Sequence, residues 1–534
     1  MKKRLLLTLF IGVIFTSCSN FLEEEVQSNL TSKNYYKNSA DAETALIGVY
    51  AQLQIDGVYG QHQQYITTDI THTAFWNTKG GIGSYTMSAE NSEVLLPIWK
   101  DHFTGINNAN DVIDNVPNIE MDEDRKMEIL GEAKFLKSLY YFNLIRYFGD
   151  VPYFEHSFTS INQDLHFSRD KVDYIYQRLI ENLEFSIENL KGKGEMTVGR
   201  ATKGAAQTLL SKIYLTRASM SVRDKKGDGK EDFIKAANLA MEVINSGGYK
   251  LCDYYPDAFI RENKNNDEII FDIQYLSGIG EGNFIGIHMG IGGNVEQGGS
   301  WNNIIATDFY HTMFEESDSV RKDWNSPHCE VGFQDGEWKL RFYDENHFRD
   351  WRLAKYRRFP IRDSNYIFKD YDIHWPVFRL AEVYLIYAEA MLEIEEMPTP
   401  DIFAPLNKLR ERARWTNIGD IHDDIYPRTL TYNADQLPDI TAKDYPNYDA
   451  LKQYIMDERG RELGGECKRW FDLVRWGKLQ ERIRFLENHI PEGRNNPEKQ
   501  WDKVAPNIKD YHNLMPIPSV EILANPNMSQ NTGY

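Results

Sequence analysis

Cysteine is scarce, with four in 534 residues. Beyond Cys18 there are only Cys252, Cys329 and Cys467, far apart and odd in number, which excludes a disulfide framework and leaves packing to hold the fold. Positive charge is also in deficit. At a net charge of −20 the chain lacks the concentrated Lys/Arg face that phosphates demand, so nucleic acid is excluded as a partner. Past the first twenty residues there is no long apolar run, and mean hydropathy is −0.55. The bulk of the chain therefore reads as water-soluble and long enough for a substantial core.

The familiar catalytic and cofactor motifs are missing too. There is no H-E-x-x-H, C-x-x-C, G-x-S-x-G or G-x-x-x-x-G-K-[ST], so metalloprotease, zinc-finger, hydrolase-elbow and P-loop chemistry lack their sequence support. GIHMGIGGNVEQGG does not satisfy G-x-G-x-x-G and reads as a loop. In RDKKGDGKEDF, with Asp224 first, Lys226 and Lys235 occupy the third and twelfth positions, where a calcium loop needs oxygen ligands. His328-Cys329 has no evident partner for a metal. No catalytic residue, metal ligand or cofactor is assigned. The 80 acidic residues leave a glycosidase pair open, because such a pair is defined by its separation in space.

What is present begins at the first residue. Lys2, Lys3 and Arg4 precede an apolar run from Leu5 to Phe15, too short to span a bilayer and ended by Thr16 and Ser17. Phe15-Thr16-Ser17-Cys18 resembles a relaxed bacterial lipobox, which makes Cys18 the expected lipid attachment site and new N-terminus. The chain then divides into a lipoprotein signal peptide at 1–17, an acylated tether at 18–40 and one domain at 41–534. Several acyl chains, each buried methylene contributing about 0.8 kcal/mol, would hold such a protein at a membrane.

Helical periodicity dominates the domain. In EILGEAKFLKSLYYFNLIRYF, Ile129, Ala133, Leu136, Tyr140, Leu144 and Tyr147 recur at steps of three and four, with a second stripe at Phe135, Leu139 and Phe142. That helix should be buried over a wide arc and end at Gly149-Asp150-Val151-Pro152. Thr202 is the expected N-cap of a helix carrying Ala206, Leu210 and Ile213 on one face. Leu380, Val383, Tyr387, Ala390 and Ile394 mark another. Further helices are expected near 41–54, 98–116, 170–190, 231–246, 403–414 and 449–485, some pairing as hairpins of tetratricopeptide size without exact repetition. Between them run elaborated, aromatic-rich loops, about 57–98, 250–375 and 415–447, with only short strands such as Glu268 to Gln274. In DERGRELGGECKRWFDLVRWGK, Arg459, Arg461, Glu462, Arg469 and Asp472 could form a charged active site; with no nucleophile beside them they read as a buried ion network.

Several stretches resemble the SusD/RagB-like outer-membrane lipoproteins of Bacteroidetes glycan-uptake systems: GEAKFLKSLYYFNLIRYFGDVPY, TKGAAQTLLSKIYL, FRLAEVYLIYAEA, DERGRELGGECKRWFDLVRWGKL and the tail MPIPSVEILANPNMSQNTGY. Thr532 departs from the family's usual Asn-Pro-Gly-Tyr ending. The resemblance implies a mostly α, tetratricopeptide-like scaffold of helical hairpins with long loops and few short strands. It also implies a lipid anchor on the outer membrane, a SusC-like TonB-dependent transporter as partner and capture of a nutrient glycan, without catalysis. Glu23-Glu24-Glu25 is similar to the family's surface-export signal, or is simply a solvated acidic linker. A surface glycoside hydrolase and a structural lid without its own ligand are the alternatives.

A pyranose presents an apolar C–H face ringed by hydroxyls, so a glycan site needs flat aromatic platforms beside planar hydrogen-bonding side chains. THTAFWNTKGGIGSYT supplies Trp76, Asn77 and Tyr85. GNFIGIHMGIGGNVEQGGSWNN supplies Asn283, Phe284, Trp301 and Asn302. Neither stretch has helical period, and these seven residues are the candidate ligand contacts, against the alternative that each Trp plugs its loop onto the scaffold.

Overall fold

Helices adjacent in sequence are adjacent in space. A computed structural model describes residues 35–60, 65–74, 79, 81–91, 93–158, 166–344, 351–361, 370–418, 428–487 and 504–534. Cys18, Glu23, Glu24, Glu25, Trp76 and Asn77 lie outside the described residues. The principal helices are α1 (Ser39–Ala51), α2 (Leu95–Asn115), α3 (Glu123–Phe148), α4 (Val172–Asn189), α5 (Lys203–Arg223), α6 (Lys230–Asn245), α7 (Leu380–Glu395), α8 (Pro400–Arg412), α9 (Tyr448–Leu463), α10 (Arg469–Arg475) and α11 (Leu479–Glu487). Each of α1 to α5 packs on its successor, α6 packs on α7 across the longest insertion, and α7 packs on α8 and α9. This is the quasi-linear stack of a helical-repeat protein. The mostly α, tetratricopeptide-like reading of the sequence holds.

The caps follow from the residues. Asp122 accepts from the Arg125 amide at 2.9 Å to open α3, and Gly149 closes it at φ 72°, a left-handed angle that suits glycine. Nearly every residue of α3 from Ile129 to Phe148 is buried. Thr202 caps α5 through the Ala205 amide at 3.1 Å, as expected. The single long helix expected over 449–485 is instead three, α9, α10 and α11. Chain direction changes at Gly464, Gly465 and Cys467, the last two with φ of 82° and 56°, and again at Gly477. A Cβ at Gly464 would lie 2.2 Å from the Tyr310 hydroxyl, so the turn is packed against a neighbour that tolerates no side chain.

The strands are short: β1 (Thr71–Thr73), β2 (Ile269–Ile273), β3 (Gly292–Gly293), β4 (Ile304–Ala306), β5 (Cys329–Gln334), β6 (Glu337–Phe342), β7 (Trp375–Arg379), β8 (Trp415–Asn417) and β9 (Leu430–Tyr432). β1 pairs with β4, β2 with β7 and β8 with β9, all antiparallel, while β3, β5 and β6 form one sheet in that order. β2 is the strand expected near Glu268. β7 runs directly into α7, which ties the loop region to the helical stack.

That junction carries a buried ion network. Arg379, fully buried, donates to Glu268 at 2.8 Å, Glu462 at 2.7 Å and Glu466 at 2.7 Å. Arg412 reaches Glu268 at 2.9 Å and also Glu462, and Arg321 joins Asp318, Glu458 and Glu462. Arg459 pairs with Asp472 at 2.9 Å, and Arg469 with Asp69 at 2.7 Å. The charged cluster read from the sequence is thus an interior network. Burial raises the Glu458 carboxyl, but Arg321 and Arg461 outweigh it and hold the group at about 2; Lys212, Lys468 and Arg459 do the same for Glu382, again at about 2.

Two outcomes are expected. Glu462→Gln takes one charged partner from each of three buried guanidinium groups, Arg321, Arg379 and Arg412, and should cost about 3–5 kcal/mol in urea unfolding. Since the folded-state values of Glu382 and Glu458 lie below their ordinary 4.5, their contribution is complete above that pH and lost as pH falls towards 2. Melting temperature should drop across that window, and a flat profile there would contradict the network's role.

Candidate functional site

Strand pairing, not helix packing, brings the two aromatic loops together. β1 and β4 align Thr73 with Ile304, and the ladder continues as the Ala74 amide donates to the Asn303 carbonyl at 2.9 Å. The described ends of the two loops, Ala74 and Asn303, therefore close one end of the ladder. Of the candidate residues beside these ends, Trp301 and Asn302 are described.

Trp301 is 40% exposed. Its amide donates to the Ile287 carbonyl at 2.8 Å, and its indole meets the His288 ring edge-on, with centroids 5.6 Å apart. His288 is itself buried. Its Nδ1 lies 2.8 Å from Asn303 Nδ2 and 3.1 Å from the Tyr65 hydroxyl. An amide nitrogen only donates, so Nδ1 accepts and the ring proton sits on Nε2. Tyr65, fully buried, completes the support, and Lys79 Nζ lies 5.4 Å from its ring while pairing with Glu93 at 2.8 Å. The indole thus stands on a fixed base.

Asn302 takes φ 52°, a left-handed conformation that asparagine tolerates. Its Oδ1 accepts from Ser300 Oγ at 2.9 Å, while its Nδ2 has no partner among the described residues. A Cβ at Gly292 would come within 2.5 Å of that Nδ2, so glycine there makes room for it. A half-exposed indole beside an amide donor unpartnered among the described residues is the pairing that a sugar ring's apolar face and hydroxyls require.

Two expected contacts are buried and are corrected accordingly. Tyr85 is 2% exposed; its hydroxyl donates to the Thr67 carbonyl at 2.6 Å and its ring packs on His512 at 5.4 Å. Burial pushes that hydroxyl well above its ordinary value. Asn283 is 3% exposed, donating to the Ile373 carbonyl at 2.6 Å and accepting from the Ile285 amide at 3.0 Å. Both staple loops down. Phe284, half-buried, offers its carbonyl to the Ile287 and His288 amides and so holds the turn that carries His288.

Sequence reasoning missed a further aromatic group. On the β5–β6 hairpin Phe333 and Trp338 face each other across the ladder, with ring centroids 5.4 Å apart, and are 62% and 39% exposed; Phe342 is 56% exposed. The signal was available, since Asp335-Gly336, both at positive φ, is a two-residue hairpin turn. Ser300 bridges to Gly292 of β3, so Trp301 emerges from one edge of the sheet whose other edge is β6. Among the described residues no three His, Cys, Asp or Glu side chains converge to hold a metal.

A helical-repeat scaffold with exposed aromatic side chains on its long insertions defines the class: a tetratricopeptide-like protein with elaborated loops. The SusD family model matches residues 346–534, and a second, described as starch-binding associating with outer membrane, matches residues 20–215. The chain belongs to the SusD family. It is 25% identical to SusD-like protein P25 of Formosa agariphila, over 98% of each chain. Against the starch-binding protein SusD of Bacteroides thetaiotaomicron identity is 25%, covering 76% of this chain and 72% of that one. A crystal structure of a SusD homologue from Bacteroides thetaiotaomicron superposes with a TM-score of 0.79 at 21% identity, over 94% of this chain and 98% of that one.

The burial difference is directly measurable. Tyr85→Ala should lose about 3–5 kcal/mol of stability, whereas Trp301→Ala, half in solvent, should lose under about 1.5 kcal/mol. Equal losses in denaturant melts would return Trp301 to a packing role.

Proposed function

We propose that the protein is a cell-surface glycan-binding lipoprotein that captures oligosaccharide on the Trp301 loop face and delivers it to a TonB-dependent outer-membrane transporter. One observation carries the reading: an indole 40% open to solvent, set on a buried histidine, beside an asparagine whose amide nitrogen has no partner among the described residues. The starch-binding relative and the outer-membrane family description support the same ligand class and location. Cys18 would carry the lipid, Trp76 and Asn77 would join the platform from the adjoining loop, and Phe333 and Trp338 would extend it along the sheet. The transporter interface would exceed about 1,000 Å², as a stable complex requires.

Trp301→Ala should weaken oligosaccharide binding by about 1–3 kcal/mol, or about five- to hundredfold, in calorimetric titration. Unchanged affinity would move the site elsewhere. The same oligosaccharide should keep its length on long incubation, and shortening would replace a binding protein with a hydrolase. Cys18→Ala should release the domain or stall its precursor, and co-purification from mild detergent should recover a barrel protein.

A further inference from the structure

A cavity of about 1390 Å³ lies on the helical side, walled by α3, α4, α5, the α5–α6 turn, α10 and the tail around residues 529–533. It exceeds the roughly 300–1,000 Å³ of ordinary small-molecule pockets and shares no residue with the Trp301 face. In a chain of net charge −20, basic residues outnumber acidic ones along this wall. Arg146 is the central case. Its Nε donates to the Phe142 carbonyl at 3.1 Å and its Nη2 to Asn143 Oδ1, and its guanidinium lies between the Phe142 and Phe471 rings at 4.1 and 3.8 Å. Among the described residues no carboxylate pairs with it, and Nη1 makes no hydrogen bond.

Arg169 and Lys212 are lightly compensated as well, whereas Arg217, Arg223 and Arg475 have carboxylates of their own. Arg169 places its bonds on neutral oxygens, those of Phe148, Asp150, Ser529 and Asn531. Lys212 and Lys468 both pair with Glu382 at 2.6 Å, and Lys468 also has Glu466 at 3.2 Å, which leaves Lys212 with a shared carboxylate. Arg459, 2% exposed, pairs through Nε and Nη2 with Asp472, has Glu389 and Glu382 at 3.8 and 4.0 Å, and leaves Nη1 without a hydrogen-bond partner among the described residues. Burial lowers Arg146 and takes Lys212 down to about 7, the direction expected of cations whose desolvation is not repaid. Guanidinium forks match planar or tetrahedral oxyanions, and a space this size holds far more than a lone ion. Tyr511, 37% exposed on the same wall, offers a ring for a sugar face.

We infer that this cavity is a second ligand site, binding the carboxylate or sulfate group of an acidic oligosaccharide, with Arg146 as its main contact. Calorimetric titrations with trigalacturonate, neutral maltotriose and sodium sulfate at constant ionic strength test it. Trigalacturonate should bind saturably, sulfate should compete and maltotriose should not displace it. Trp301→Ala should leave that affinity within about twofold, so failure of the loop-face reading and failure of this one remain separate. Arg146→Gln should weaken trigalacturonate binding by about tenfold or more, the worth of about 1.4 kcal/mol. If Arg146→Gln does not fold, Lys226→Glu with Lys230→Glu, both exposed at the mouth, should still weaken it about threefold or more, by charge. No saturable binding of trigalacturonate, or binding that neither the Arg146 nor the lysine variant changes, would overturn the inference. Sulfate binding without trigalacturonate would remove the saccharide from it, and loss on Trp301→Ala would place the acidic sugar on the loop face instead.

Discussion

Arg379 sits where three carboxylates meet, and the architecture depends on that meeting. Glu268 arrives at the start of β2, Glu462 near the end of α9 and Glu466 just past the turn after it; Arg379 itself is the last residue of β7. Removing so many charges from water is expensive, and the attraction between them repays it only with near-ideal geometry and full hydrogen bonding. Such a network is therefore intolerant of displacement. A shift of β7 along β2, or of α9 against α7, would strand a charge in the interior, so the long insertion is held in one register on the helical stack.

That constraint explains why the segment after α9 abandons helical geometry. In a continuous helix from 448 to 487 Glu466 and Lys468, two positions apart, would point to nearly opposite faces, whereas here they pair at 3.2 Å while Glu466 reaches Arg379 and Lys468 reaches Glu382. The Gly464-Gly465 turn, with Gly465 at φ 82° and the Tyr310 hydroxyl pressed close, supplies the change of direction. The hydrophobic pattern continued through the turn and concealed it in the sequence. The glycines were visible, but their consequence depends on residues far away in the chain.

Where local physics decides, the sequence was readable. The wide apolar arc of α3, the Thr202 cap and the ionic character of Arg459, Glu462 and Asp472 were all legible, because each rests on periodicity or on the cost of burying charge. In the loops the same reasoning separated aromatics from helices but not exposed rings from buried ones. Tyr85 and Trp301 look alike in sequence: each lies in a Gly-rich, aperiodic stretch. What buries Tyr85 is the Thr67 carbonyl and His512, neither predictable from spacing. Phe333 and Trp338 were legible as well, since the Asp335-Gly336 turn lies between Cys329, Val331 and Phe333 on one side and Trp338, Leu340 and Phe342 on the other, an unbroken alternation with polar residues and Gly332.

The platform residues are consequently decoupled from the forces that fold the chain. Trp301 is placed by backbone bonds, its own amide to Ile287 and the neighbouring Ser300 amide to Ile291, and by the β1–β4 register that ends at Asn303. None of these bonds specifies which side chain occupies position 301. The indole contributes part of its surface to the contact with His288 and leaves the rest to solvent, so little of the folding free energy resides in it. An ion network that tolerates almost no change thus supports a surface that tolerates a great deal. With stability stored in α3, α7 and α9, exposed loop side chains such as Trp301 can be exchanged without disturbing the helical stack beneath them.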